Sequence, residues 1–434
     1  MSADEFKTAV PKTDYSMLAD NGILYRAPSQ LSSTVARTYK NEYAQRSEYS
    51  TGAPVIFEWN SGTSYVDPQL ALLSFDLQIL NSNVAPLNVN WGGGLGACSL
   101  FNEIRIISKN GVEIDRTQDA GLLAKILSNY TMSVEARENL QLCDGYATDY
   151  AGNLQGFTVP EEGSVTVSVT IPMKVLSGFF RPLARGMLIP SGLASGLRFE
   201  MQLEEANRCF YSATAEAADG DITYKVLNPQ MLLMLSDLND PTQNQIFAQS
   251  ASTGLEYDFP SYFSSKVSNG TSNRINEQLK KSVSQANRAF AVLLDKGAED
   301  YESLLHSGYK SVDASRISAF NWRLGSQFYP LERLTRPSNY WAIANACFNT
   351  LRNVEWKPNQ VNYEAFNTGG MAIAAASLDM SDHINLSGSK INNSSVLELR
   401  LDITNGGAQP VDVVLFLQFT SEVKTSGSRS ILKI

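Results

Sequence analysis

Histidine is nearly missing: His306 and His383 are the two in 434 residues. That scarcity excludes chemistry built on clustered imidazoles, whether proton relays or His-ligated metals. Cysteine is also sparse. Cys98, Cys143, Cys209 and Cys347 stand far apart with no C-x-x-C spacing, which excludes a zinc ribbon or a disulfide scaffold and fits buried free thiols in a reducing compartment. Charge is short as well, at 18% of residues with a net −9, against about 25% in an ordinary soluble domain. An acidic, charge-poor surface disfavours wrapping nucleic acid and suits a subunit that buries much of itself against neighbours. No run of 18 apolar residues is available to span a bilayer, and Met1-Ser2-Ala3-Asp4-Glu5-Phe6-Lys7 lacks the charged-then-apolar layout of a secretory signal, so none is expected.

What fills the chain is alternation. Leu73, Phe75, Leu77 and Ile79 mark one half-buried strand, Val165, Val167, Val169 and Ile171 another, and Leu197, Phe199, Met201 and Leu203 a third. Ile104 and Ile106 lead through Asn110-Gly111 to Val112 and Ile114, which predicts a hairpin with a type I′ turn. Asp119 is placed to cap a short helix carrying Leu122, Leu123, Ile126 and Leu127 on one face. Residues 131–163 form a long irregular connection. After the strand ending Met231-Leu232-Leu233-Met234-Leu235, the run Asp240-Pro241-Thr242-Gln243 predicts a linker helix over 241–250. The period-two pattern then resumes at Phe290, Val292 and Leu294, at Leu397, Leu399, Leu401 and Ile403, and at Val411, Val413, Leu415, Leu417 and Phe419.

These segments divide the chain into an N-terminal arm (1–50), a first β domain (51–238) and a second (239–434), which starts with the linker helix and ends in a tail. In the arm, Ser33 followed by Val35, Tyr39 and Tyr43 at four-residue spacing suggests a thin amphipathic helix that orders on a neighbour. The tail after residue 420 reads as polar with a mild basic character from Lys424, Arg429 and Lys433. Each half has the short strands and long connections of a jelly-roll β-sandwich. An internal duplication is suggested by layout alone, because the halves share no residue-level repeat.

Motifs that resemble sites fail on context. Gly92-Gly93-Gly94-Leu95-Gly96-Ala97 matches a dinucleotide fingerprint, but the Phe101–Ile106 segment after it reads as a strand where a helix is required. Ser387 with Lys390, and Ser421 with Lys424, match an S-x-x-K pattern without the Lys-Thr-Gly that accompanies it. His383 beside Asp379 and Asp382 lacks a second imidazole. Glu161-Glu162 and Glu204-Glu205 read as solvated strand ends. The sequons at Asn129, Asn269, Asn385, Asn392 and Asn393 read as products of Asn- and Ser-rich loops. No catalytic, cofactor-binding or metal-ligating residue is assigned, and no cofactor.

The ordered set Ser64-Tyr65-Val66-Asp67, Leu73-Ser74-Phe75-Asp76-Leu77, Ser99-Leu100-Phe101-Asn102-Glu103-Ile104 and Asn110-Gly111-Val112-Glu113-Ile114 resembles the first roll of double jelly-roll major capsid proteins. The flavour is that of polinton-like viruses and virophages, within the lineage of adenoviruses, tailless phages and large DNA viruses. Ile171-Pro172, Gly178-Phe179-Phe180 and Leu188-Ile189-Pro190-Ser191-Gly192-Leu193 are similar to the segment before a strand in that family. Looser similarity continues at Asn273-Arg274-Ile275-Asn276, Trp322-Arg323-Leu324-Gly325-Ser326 and Leu386-Ser387-Gly388. The resemblance implies an all-β fold of two consecutive eight-stranded jelly rolls with a short linker helix and few others. It implies a non-enzymatic homotrimer whose capsomers tile an icosahedral shell around double-stranded DNA in the virion. The partners implied are neighbouring capsomers, penton and minor capsid proteins and, in some relatives, an internal membrane, without sequence-specific nucleic-acid binding. The competing reading is a lectin-like carbohydrate-binding β-sandwich.

Overall fold

Strands form wherever the alternation was clean. The computed structural model describes residues 34–91, 96–133, 135–136, 147–148, 154–183, 187–212, 220–239, 246, 254–268, 272–295, 312–348, 361–368, 371–378, 389–392, 395–404, 411–426 and 429–433. The first half runs β1 (Thr34–Tyr43), β2 (Glu48–Ser50), β3 (Pro54–Glu58), β4 (Tyr65–Asn81), β5 (Leu87–Trp91), β6 (Phe101–Ile107) and β7 (Glu113–Gln118). Helix α1 (Ala120–Thr131) follows, then β8 (Ala147–Thr148), β9 (Leu154–Gln155), β10 (Phe157–Val159), β11 (Ser164–Pro172), α2 (Met173–Leu176) and α3 (Ser191–Ala194). It closes with β12 (Arg198–Leu203), α4 (Ala206–Cys209), β13 (Phe210–Ser212) and β14 (Ile222–Leu238). The second half runs β15 (Leu255–Ser268), β16 (Arg274–Leu279), β17 (Val283–Asp295), β18 (Ile317–Leu324), β19 (Gln327–Leu334), α5 (Pro337–Cys347) and α6 (Tyr363–Thr368). It ends with β20 (Ile373–Ser377), β21 (Ser389–Ile391), β22 (Leu397–Ile403), β23 (Val411–Ser426) and β24 (Arg429–Lys433).

The two halves share one topology. In the first, the sheet β1-β14-β4-β11 is paired with the sheet β3-β12-β6-β7; in the second, β15-β23-β17-β20 is paired with β16-β22-β18-β19. Numbering the eight strands of either half in chain order gives 1-8-3-6 for one sheet and 2-7-4-5 for the other. Each half is therefore an eight-stranded jelly roll. A helix follows the fifth strand in both, α1 after β7 and α5 after β19. The match supplies, in strand order, the duplication that the sequence shows only in layout.

Each roll has its own core. Phe57, Phe75, Phe101, Phe199 and Met201 belong to the first, and Phe320, Trp322, Leu399, Leu401, Leu415 and Leu417 to the second. Leu73 to Ile79 and Leu197 to Leu203 are buried in the phase that alternation predicts. Val169 and Ile171 are buried, but Val165 and Val167 are only half-buried because β11 is an edge strand. In β17 and β23 the burial is continuous: Ala289 to Leu294 and Val413 to Leu417 are buried at every position. Phe290 pairs with Phe416, and Ala291 with Leu415. The predicted sets Phe290/Val292/Leu294 and Val413/Leu415/Leu417 thus lie on opposite faces of one sheet, and both faces are covered.

Several expectations are corrected. The segment read as a helix from Val35 to Tyr43 is β1, paired with β14 from Thr34↔Leu238 to Tyr43↔Gln230. A spacing of four is also a multiple of two, so Tyr39 and Tyr43 line one face of a strand. Strand β2 joins the same sheet, so residues 34–50 belong to the first roll and not to an arm. The tail is a hairpin: β23 runs on to Ser426, and β24 pairs back from Ser426↔Arg429 to Glu422↔Lys433. At Asn110-Gly111 the positive φ falls on Gly111 alone, at 77°, and Gly111 N donates to Ser108 O at 2.9 Å. This is a type I turn followed by a glycine bulge, rather than type I′. The linker helix predicted over 241–250 lies outside the described residues except for Ile246.

Candidate functional site

The most heavily constructed polar region is the seam between the rolls. In β7, Ile114 and Asp115 are both buried, which breaks the alternation and turns a carboxylate inward. Ser177, just after α2, donates to Asp115 Oδ2 at 3.0 Å, and Ser261 of β15 donates to Oδ1 at 2.9 Å. One residue of the first roll is thereby bonded to the second. Asp119 begins α1 as predicted, but at φ 49° it makes no side-chain cap; its Oδ2 accepts from Ser264 at 2.9 Å. The Tyr257 hydroxyl donates to Phe179 O at 2.6 Å, and Phe179 packs against Tyr257 and Phe259 with ring centroids 5.2 Å apart in each pair. Gly178 lies so close to the second roll that a Cβ there would stand 1.7 Å from Pro260 O, so only glycine fits.

Helix α1 is the mortise of this joint. Ala120 and Ala124 pack into the first core; Leu122, Leu123, Ile126, Leu127 and Tyr130 pack into the second. Tyr130 stacks on Phe348 at 5.1 Å and donates to Met371 O at 2.8 Å. Burial pushes the Asp115 carboxyl up to about 6, against the opposing hydrogen bonds of Ser261, Ser177 and the Arg116 amide. Burial also brings Lys125, on α1, down to about 8. The phenols of Tyr130 and Tyr257 are raised by burial. The seam's hydroxyls and carboxylates are bonded to one another across it, so its chemistry is that of a joint rather than of an exposed nucleophile or base.

Outside the seam, each four-stranded sheet carries a ladder of ion pairs. In the first roll Arg105 meets Glu113 at 2.9 Å and Glu200 at 3.1 Å, and Arg116 meets Glu103 at 2.9 Å. In the second Arg333 meets Asp402 at 2.7 Å, and Arg274 meets it at 3.1 Å. The Asp402 carboxyl is lowered by those guanidiniums, although its burial opposes them.

The motifs weighed in the sequence are not brought together. Gly96 to Leu100 is a 3-10 turn leading into β6, while Gly92 to Leu95 lie outside the described residues. Asp379, Asp382, His383 and Ser387 also lie outside them, as do His306, Cys143, Asn269, Asn385 and Asn393. Ser421 is buried, and Lys424 pairs with Glu256 at 2.9 Å. Glu204, read as a solvated strand end, is 4% exposed and pairs with Arg208 at 3.4 Å. Asn129 is buried on α1, a poor acceptor for a glycan. Cys98, Cys209 and Cys347 are buried free thiols. Among the described residues no group of three or more His, Cys, Asp or Glu is placed to hold a metal, and no helix is long and apolar enough to cross a membrane. The seam itself was missed: an isolated Asp within a strand gives no motif, and Val112-Glu113-Ile114-Asp115 alternates as a solvated strand would, so that the break shows only in the burial of Ile114 and Asp115.

No family model matches the chain, and no curated protein matches it. Solved structures do. The Faustovirus major capsid protein aligns over 98% of this chain and 99% of its own, with a TM-score of 0.66 at 8% identity. PBCV-1 VP54, fitted into a reconstruction of the virophage Sputnik, aligns over 94% and 99%, with a TM-score of 0.62 at 9% identity. The mavirus major capsid protein aligns over 98% and 95%, with a TM-score of 0.55 at 9% identity. The described residues have the double jelly-roll fold of these viral capsid proteins.

Proposed function

We propose that the chain is the major capsid protein of a DNA virus, a structural and non-enzymatic subunit of the virion. Three copies form a capsomer in which six rolls give a hexagonal outline. Such capsomers tile an icosahedral shell around a double-stranded DNA genome, meeting each other, penton proteins and minor capsid proteins. The observation that carries this reading is the fit of both rolls, over nearly the full length of both chains, to the Faustovirus capsid protein. The scarcity of charge and the rigid seam support it, since a shell subunit buries large lateral faces and must hold its two rolls at a fixed angle. Residues 1–33, ahead of β1, are assigned the role of a tie between neighbouring capsomers on the inner face. The test is light scattering on the purified protein with negative-stain images of the same fractions. The reading expects a mass three times 47.6 kDa and hexagonal particles. A stable single-chain mass across dilution contradicts it.

A further inference from the structure

The smaller sheets of the two rolls occupy equivalent positions but differ in charge balance. On the outward face of β3-β12-β6-β7, Arg105, Arg116 and Arg198 pair with Glu103, Glu113 and Glu200, three cations against three carboxylates. On β16-β22-β18-β19, four arginines share two carboxylates. Arg274 and Arg333 both meet Asp402, while Arg323 and Arg400 meet Glu398 at 3.6 Å and 3.4 Å. Among the described residues these arginines have no other carboxylate within ion-pair distance. Four cations against two anions leave a local positive excess, on a chain whose net charge is −9.

That excess borders a hollow of about 500 Å³, within the size range of small-molecule sites. Arg274, Arg333 and Arg400 line it together with Asn321, Phe328 and Leu331. Asn321 distinguishes the hollow from a solvated ladder. It alternates with the core residues Phe320 and Trp322, which puts it on the outward face, opposite Arg400 in the register of β18 and β22. It is nonetheless only 4% exposed, and its Oδ1 has no hydrogen-bond donor. A buried acceptor without a donor is costly, so its presence at the wall of a hollow points to a ligand that supplies one. The Arg400 guanidinium lies over the Phe328 ring at 5.6 Å, and its Nε, though 3.4 Å from Glu398, makes no hydrogen bond. Leu331, 80% exposed, extends the apolar wall beside Phe328.

We propose that this hollow binds an acidic sugar of the uronic acid class, its carboxylate on Arg274, Arg333 and Arg400, a hydroxyl donated to Asn321 Oδ1 and a ring face against Phe328 and Leu331. The guanidinium excess calls for an oxyanion, and a planar carboxylate matches the guanidinium fork. The lone acceptor calls for a donor, which a simple carboxylate lacks. The apolar wall calls for C–H surface, which inorganic phosphate lacks. A sugar acid carries all three on one ring. The assignment rests on this sheet alone and not on the capsomer reading.

The test is calorimetric titration of the full-length protein with sodium glucuronate at fixed ionic strength, beside glucose, cyclohexanecarboxylate and inorganic phosphate. Glucuronate is expected to bind, with glucose and cyclohexanecarboxylate each roughly tenfold weaker or more, because each lacks one of the two polar groups. Arg333→Gln, which leaves Asp402 paired with Arg274, and Asn321→Leu are each expected to weaken glucuronate by a similar factor. Arg105→Gln, on the balanced sheet of the first roll, is expected to leave it unchanged. Asn321→Leu should also melt no lower than wild type, since it removes an acceptor that has no donor. A lower melting temperature with glucuronate binding intact would make Asn321 structural and overturn the proposal. So would an absence of glucuronate binding, phosphate binding as tight as glucuronate, or an equal loss in Arg105→Gln. Methyl β-glucuronide separates the two sources of such a ligand: retained affinity assigns the end of a glycan chain, and binding of the free acid alone assigns a free sugar acid. If Asn321→Leu fails to fold, the ligand series and Arg333→Gln decide. None of these outcomes depends on the number of chains in the particle, so the capsomer reading stands or falls separately.

Discussion

Replacing Asp115 with asparagine probes the seam with a signed and sizeable effect. The carboxyl is wholly buried, and its ordinary value of 3.8 is pushed up to about 6. Between those values the folded chain keeps a proton that the unfolded chain has released. Folding is therefore favoured by this group at low pH, and that contribution is lost as pH rises from about 4 to about 6, staying flat above. At about 1.4 kcal/mol per unit, the full shift is worth about 3 kcal/mol. Asparagine is neutral throughout and keeps a hydrogen-bonding head, accepting from one serine and donating to the other. The stability of Asp115→Asn minus that of wild type should therefore rise by roughly 1 kcal/mol between about pH 5 and pH 7.5. Urea unfolding at one fixed protein concentration reads this, because the proposed association of three chains would make the midpoint depend on concentration. Other titrating groups, such as the lowered Asp402, move both proteins alike and cancel in the difference. A difference that is constant with pH, or that falls, would show that the two serines and the Arg116 amide outweigh burial, and would refute the reasoning.

Other expectations are simpler. Leu399→Ala and Leu415→Ala, at two fully buried core positions, should each cost roughly 2–5 kcal/mol in denaturant unfolding; near-neutral values at both would mean the strand phases are wrong. Gly178→Ala should lower the melting temperature or prevent soluble expression, because its Cβ meets Pro260 O at the seam, whereas Gly111→Ala meets nothing within 4 Å and should show only the roughly 1 kcal/mol of a positive-φ position. Deleting residues 1–30 should leave the fold and the trimer intact but impair closed shells. Deleting 1–43 removes β1 from its sheet and should abolish the soluble protein.

How much of this was legible depends on how each strand is covered. Strands with one wet face, such as β4 and β12, announce their phase because solvent selects polar residues on that face. β23 does not: with Val413 to Leu417 buried throughout, both phases look equally apolar, and only the Phe290↔Phe416 register assigns the faces. β1 was hidden for the opposite reason. Its tyrosines point outward and its inward face carries little apolar content, so the four-residue spacing of Val35, Tyr39 and Tyr43 fitted a helix equally well. The terminal hairpin was obscured because Ser421 and Thr425, flanking Val423, are polar residues that are nonetheless buried. The seam was illegible because its partners, Asp115 with Ser261 and Asp119 with Ser264, are separated by some 145 residues, and neither pair forms a sequence motif.

The central claim is a ring of three chains built from two like rolls, and a single-particle cryo-EM map of the purified protein tests it most directly. The account predicts threefold particles with six jelly rolls. A map showing isolated two-roll chains would contradict it.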